Sequence, residues 1–227
     1  MISVETTPAW RTTHVGASIG LLEISGVNNQ QPCAPLNEHK LRVAETLRQQ
    51  YGQLSRAELI NLPVMQEYVR YYKRFDKTYH VLLQLESLVH KGKNLPQVSP
   101  LVDANFMAEL ETFALTASHD ADQLANRLWI DIAQKGDTFC QMGGAVKQIP
   151  PLDMIMRDEE EICCSILYGQ DHRSPITPQT THVLYVTYAP SGVPESAIQA
   201  YWQKVLDYVR LCSPDAHLEQ QRLLTAN

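Results

Sequence analysis

The sequence has no apolar run approaching the ~20 residues needed to cross a bilayer, so no membrane span is expected. Charge is sparse, with 19% of residues charged, and the 25 acids outnumber the 19 bases for a net charge of -6. That balance excludes a wholly basic nucleic-acid coat, although it leaves room for a local basic stripe. The phosphate loops GxxxxGK[ST] and GxGxxG are missing, as are the GxSxG elbow and the HExxH zinc pair. No CxxC pair and no Cys/His cluster with zinc spacing occurs, so neither metal nor cofactor is expected. Met1 to Thr13 contains Glu5, Pro8 and Arg11 and lacks the apolar stretch of a signal peptide. Internal repeats and low-complexity linkers are also lacking.

What is present suits a packed core. Of 227 residues, 44% are hydrophobic, which excludes wholesale disorder and fits one domain spanning residues 1–227. The five cysteines, Cys33, Cys140, Cys163, Cys164 and Cys212, are odd in number. The simplest expectation is reduced thiols in a cytoplasmic protein. Adjacent residues in a strand point to opposite faces, so Cys163 and Cys164 are expected to be one core and one surface thiol.

The apolar segment from His14 to Ser25 predicts a strand, ended by the turn Gly26-Val27-Asn28-Asn29. Asn37 is expected to cap a helix that runs to Tyr51 and stops at Gly52. Ser55 and Glu58 form a capping-box pattern, and Pro63 fits the first position of a helix to about Arg74. Further helices are predicted from Val81 to His90 and from Leu101 to Phe113. After about residue 125 the period shortens, predicting strands at 128–133, 138–142, 145–149, 152–156, 162–168 and 182–188. Asp158 to Glu161 reads as a solvated acidic turn. Pro194 to Leu211 predicts an amphipathic helix, and Ser213 to Asn227 a short helix with a frayed tail. Closely spaced strands leave no room for parallel crossovers, so the expected class is α+β with a mainly antiparallel sheet flanked by helices.

Candidate chemistry is scattered. His119 beside Asp120 and Asp122 offers a general base or a metal ligand, or else a capping turn with an exposed histidine. Asp171-His172-Arg173 lies between two strands, as site loops and ordinary solvated turns both do. Asp103 and Asn105, just after Pro100, either cap a helix start or line a pocket there. Arg70, Lys73, Arg74 and Lys77 follow i, i+3, i+4 and i+7 spacing beside Tyr68, Tyr72, Phe75 and Tyr79. On one continuous helix they would form a positive face with aromatics able to stack on single-stranded RNA; equally, the tyrosines would pack inward.

Four segments carry a resemblance by their order: YYKRF (Tyr71 to Phe75), HKGKNLPQVSPLVDANF (His90 to Phe106), QKGDTF (Gln134 to Phe139) and SPITPQTTHVLYV (Ser174 to Val186). The order resembles the tRNA-editing domain of the bacterial phenylalanyl-tRNA synthetase beta subunit, and more closely the free-standing proteins built from that domain alone. The resemblance spans about residues 14–190. It implies an α+β fold, with a pocket beside the helix that opens at Leu101 and the later strands. It further implies hydrolysis of a mischarged aminoacyl-tRNA ester by a positioned water, assisted by fixed polar groups and the tRNA terminal hydroxyl.

This chain departs from the family pattern. The family's histidine falls on Ala117, with His119 standing where the family has an aromatic; Asp120 matches. The glutamate that reads a tyrosine hydroxyl in the family falls on Val186, and an isopropyl group cannot accept that hydrogen bond. The family's glycine pair is altered to Gly169-Gln170. The residues expected near the pocket are His119, Asp120 and Asp103 for catalysis, and Asn105, His172, Arg173 and Val186 for substrate binding. RNA is expected at Arg70, Lys73, Arg74 and Lys77. The leading expectation is a trans-acting aminoacyl-tRNA deacylase or tRNA-end binder. The alternative is a small-molecule binder or hydrolase that keeps the fold without the tRNA. A purely structural interaction module is a third class that nothing in the sequence selects.

Overall fold

The computed structural model describes residues 1–30 and 32–227. In chain order the elements are β1 (Ser3–Thr6), α1 (Pro8–Thr13), β2 (Ser18–Ser25), α2 (Ala34–Tyr51), α3 (Arg56–Ile60), α4 (Pro63–Lys73), α5 (His80–Val89) and α6 (Pro100–Thr112). There follow β3 (Thr116–Asp120), β4 (Arg127–Ile132), β5 (Thr138–Cys140), β6 (Val146–Gln148), β7 (Met154–Arg157), β8 (Ile162–Ser165) and β9 (Gly169–Gln170). β10 (His182–Ala189), α7 (Glu195–Cys212) and β11 (His217–Thr225) complete the chain.

One sheet has the order β11-β2-β10-β3 and is antiparallel throughout. A second has the order β1-β4-β7-β8-β9, in which only the β1–β4 pair is parallel. β5 and β6 form a separate hairpin. The expected α+β class, antiparallel sheets flanked by helices, is what the chain adopts.

Alternation along β10 separates two packing faces. Tyr185 points to the helices and donates to the Leu101 carbonyl of α6 at 3.0 Å. Tyr188 points the other way, to Cys164 of β8. α7 packs onto β2 where a Cβ on Gly20 would come within 2.5 Å of Ile198. The helix starts follow local chemistry: Pro63 and Pro100 occupy first turns, and the Ser55–Glu58 capping box is fully formed.

Several local expectations are corrected. The tail after Ser213 is strand β11, which closes the first sheet against β2. Its polar residues face solvent at a sheet edge, so it carries no apolar alternation to betray it. The strand predicted from His14 starts at Ser18. The helix predicted to be capped by Asn37 begins at Ala34, with Cys33 as its cap residue and Pro35 in the first turn. Cys33 and Cys212 form a disulfide, Cα to Cα 5.8 Å, instead of remaining thiols. Neither Cys163 nor Cys164 is a surface thiol; both are buried, because β8 is covered on both faces. The Tyr–cation stripe does not lie on one helix. α4 ends at Lys73, and Asp76 turns the chain with a positive φ of 54°. Among the described residues no helix is long and apolar enough to cross a membrane.

Candidate active site

α6 positions the site. It is buried on nearly every side, including at Asp103, Asn105 and Glu109. A helix without a solvent face cannot leave polar side chains unpaired, so each of these needs a partner. Asp103 finds the Lys40 ammonium at 2.7 Å and accepts the Val98 N–H at 3.0 Å. Asn105 and Glu109, one turn apart, turn instead toward β3 and a cleft of about 590 Å³. α5 contributes His80 and Gln84 to that cleft. The β5–β6 hairpin contributes Gln141, Met142 and Gly143, and Tyr168 and Ile176 complete the wall.

Thr116 ties the two α6 side chains together. Its Oγ1 lies 2.7 Å from both Asn105 Oδ1 and Glu109 Oε1, and its N–H donates to Glu109 Oε1 at 2.8 Å. Burial raises the Glu109 carboxyl to about 7, against the two Thr116 hydrogen bonds that lower it. A hydroxyl has one proton. When Glu109 is neutral it donates to Thr116, whose own proton then goes to Asn105. When Glu109 is ionised it competes for that proton. Asn105 Oδ1 also accepts from Tyr201, so its oxygen stays engaged inside the fold in either state and its NH2 is the group left to act in the cleft.

The α5 histidine is fixed in one tautomer by similar counting. Tyr72 donates its only proton to the Ile166 carbonyl at 2.6 Å. His80 Nδ1, 3.1 Å from the same phenol oxygen, must therefore be the donor. Burial lowers His80 to about 4, so the ring is neutral and Nε2 carries a lone pair. One turn on, Gln84 Oε1 is buried with no partner among the described residues. The cleft thus offers two acceptors from α5, the carboxyl of Glu109, the amide of Asn105 and the hydroxyl of Ser118. It has no Lys or Arg among its lining residues. Lys77 stands at its edge, its ammonium 5.3 Å from the Tyr168 ring centroid.

The other sequence candidates are placed elsewhere. His119 is fully buried on the face of β3 opposite Thr116 and Ser118. Its Nδ1 is 2.7 Å from Ser174 Oγ, which donates to Asp171 Oδ1 at 2.6 Å. The serine proton goes to the carboxylate, so His119 donates, and burial pushes the ring down to about 4. A hydroxyl enclosed between an acid and a histidine joins β3 to the 171–174 loop; it is not presented to a substrate. Asp120 accepts from Thr180 Oγ1 at 2.6 Å and caps the turn at Ala121–Gln123. Arg173 is shared by Asp158, Glu161 and Asp171 at 3.0, 3.3 and 2.9 Å. Its pairing buries Asp158, correcting the fully solvated acidic turn. His172 is exposed beside it. Val186 sits directly across from Ala117 in the β3–β10 register, so two of the positions that depart from the family pattern face one another as buried apolar contacts. Arg70 pairs with Glu67, Lys73 is exposed, and Arg74 lies over the rings of Tyr71 and Phe75.

The structure therefore brings Asn105 into the cleft and separates it from Asp103, His119, Asp120 and Val186. Sequence reading missed Glu109, His80 and Gln84. The available signal for Glu109 was a carboxylate one turn after Asn105 among apolar neighbours. The B3/4 domain family matches residues 65–199, a span that contains every residue lining this cleft. The chain belongs to that family. The B3/4 domain here also shares its fold with an N-terminal fragment of the phenylalanyl-tRNA synthetase beta subunit from Pyrococcus horikoshii. The TM-score is 0.51 at 6% identity, over 98% of this chain and 50% of the fragment. The B3/4 chain thus spans about half the length of that neighbour, and no curated protein sequence matches it. Among the described residues, no group of three His, Cys, Asp or Glu side chains is placed to hold a metal ion.

Proposed function

We propose that this B3/4 protein hydrolyses aminoacyl esters at the end of a tRNA, acting in trans, with Glu109 as general base. The carrying observation is the buried Glu109 carboxyl, held near 7 in a cleft that contains no cation. A free amino acid would bring a carboxylate into a cleft that no Lys or Arg lines, with Lys77 only at its edge. An aminoacyl ester has that carboxyl masked and still offers an ammonium to the acceptors His80 Nε2 and Gln84 Oε1.

In this reading Glu109 takes a proton from water as the water oxygen bonds to the ester carbonyl carbon. The Asn105 amide donates to the oxyanion that develops. The carbon–oxygen bond to the ribose then breaks, and Glu109 returns the proton to the departing hydroxyl. Asp103, His119 and Asp120 act as positioning residues, holding α6, β3 and the 171–180 segment around the cleft. Lys77 meets the tRNA end at the cleft edge, and His172 remains a peripheral contact. The family membership and the synthetase fold neighbour support tRNA as the carrier.

The test is hydrolysis of a panel of aminoacyl-tRNAs, including misacylated ones, by the purified chain and by its Glu109→Gln variant. Release of at least one amino acid above the spontaneous rate, lost in the variant, is expected. No release from any member, with no tRNA retained at low salt, would overturn the proposal and favour the small-molecule reading.

A further inference from the structure

A second recess, of about 290 Å³, shares no lining residue with the cleft. It lies where α4 meets two loops. Arg70, Arg74, Tyr71 and Glu67 come from α4 and its end, Thr13 from the end of α1, His14 and Val15 from the α1–β2 connection, and Pro190 and Ser191 from the β10–α7 connection.

Its walls are set by two glycines with positive φ. A Cβ on Gly16 would lie 2.9 Å from Ser191 Oγ, and one on Gly192 would lie 2.7 Å from Glu67 Oε2. Only glycine permits both approaches. Glu67, pressed against Gly192 and buried, in turn holds the Arg70 guanidinium. Arg74 lies 5.3 and 5.5 Å over the Tyr71 and Phe75 rings and has no carboxylate partner among the described residues. A guanidinium stacked on rings keeps its donors free at the edge. The phenol of Tyr71 is absent from this chemistry, because it donates to Asp153 at 2.8 Å.

We propose that this recess binds a phosphoryl oxyanion. Arg70 and Arg74 line it from the α4 segment, Thr13 from the end of α1 and Ser191 from the β10–α7 connection, so three separate parts of the chain bring donor-bearing side chains to it. Two arginines and two hydroxyl-bearing side chains offer more donors than the two oxygens of a carboxylate use, which suits a phosphoryl group with three or four acceptor oxygens. One carboxylate, Glu67, offsets one of the two arginines, so the recess carries one unbalanced positive charge. His14 is a neighbour and not a ligand. Its Nε2 donates to the Leu152 carbonyl at 3.1 Å, and burial together with Arg74 keeps the ring neutral. Its ring resonances are therefore a local reporter of charge arriving beside Arg74.

The site stands apart from the hydrolytic reading, and it is tested separately. Inorganic phosphate is titrated into the full chain at pH 7 while the His14 ring is followed by NMR. A saturable shift at His14 is expected, weakened about tenfold by Arg70→Gln or Arg74→Gln. The remote Lys135→Gln variant, which removes one positive charge elsewhere, is expected to bind as the wild type does. All three are surface changes, so folding is preserved and checked by the unaffected resonances. Comparison of a nucleoside monophosphate with a short oligoribonucleotide lacking a terminal phosphate then identifies the source. Tighter binding of the first assigns a phosphate monoester, and of the second an RNA backbone. Absence of a saturable shift, or equal binding by the Arg70→Gln/Arg74→Gln double variant, overturns the proposal.

Discussion

Asn105 and Glu109 stand one turn apart on a buried helix and are joined through a single hydroxyl, that of Thr116, 2.7 Å from each. The protonation of one carboxyl therefore sets the hydrogen-bond direction at the neighbouring amide.

The first consequence is a pH-dependent rate. With the Glu109 carboxyl near 7, ester hydrolysis should rise as the pH increases through that value and then level off. The Glu109→Gln variant should lose about 100-fold or more in kcat, a typical minimum for removal of a positioned base. Release of amino acid from the active substrate, followed from pH 5.5 to 8.5, measures both.

The second concerns stability. Glu109 has a raised carboxyl in the fold, so between its ordinary value of 4.5 and about 7 the native state binds more protons than the unfolded chain. Its contribution is fully present below 4.5 and is lost as the pH rises through 7. Wild type should therefore lose on the order of 3 kcal/mol relative to Glu109→Gln across that window. Urea unfolding of both proteins at pH 4.5 and 7.5 checks the sign and the size.

The Lys40–Asp103 pair gives a third. Both side chains are buried, and Asp103 also holds the Val98 N–H. Asp103→Ala leaves an ammonium buried without its counter-ion and should cost about 3–5 kcal/mol. Adding Lys40→Met to that variant should recover part of the loss, because the uncompensated charge is then removed. The two midpoints in urea decide it.

The disulfide gives a fourth. Cys33 and Cys212 are 179 residues apart, so their link constrains most of the unfolded chain. Reduction should lower stability by about 2–5 kcal/mol. A fall in Tm on adding reductant, absent from a Cys33→Ser/Cys212→Ser protein, is the expected observation.

Local features were legible along the chain. Pro63, Pro100 and the Ser55–Glu58 capping box mark helix starts because the controlling contacts lie within one turn. The spacing of apolar segments after residue 125 was enough to indicate antiparallel strands. The order of four short segments pointed to the synthetase beta-subunit family, and the B3/4 match bears that out. Tertiary structure alone decided what depends on distant partners. β11 is polar and becomes a strand only because β2 supplies its hydrogen bonds. Cys33 and Cys212 are a pair only because the start of α2 meets the end of α7. Asp103, Asn105 and Glu109 look alike on one helix. Packing on different sides gives one a buried ammonium, one an oxygen held by Tyr201 and Thr116 and one a carboxyl near neutrality. Burial and partner direction set that chemistry, and neither is written in the spacing of residues along the chain.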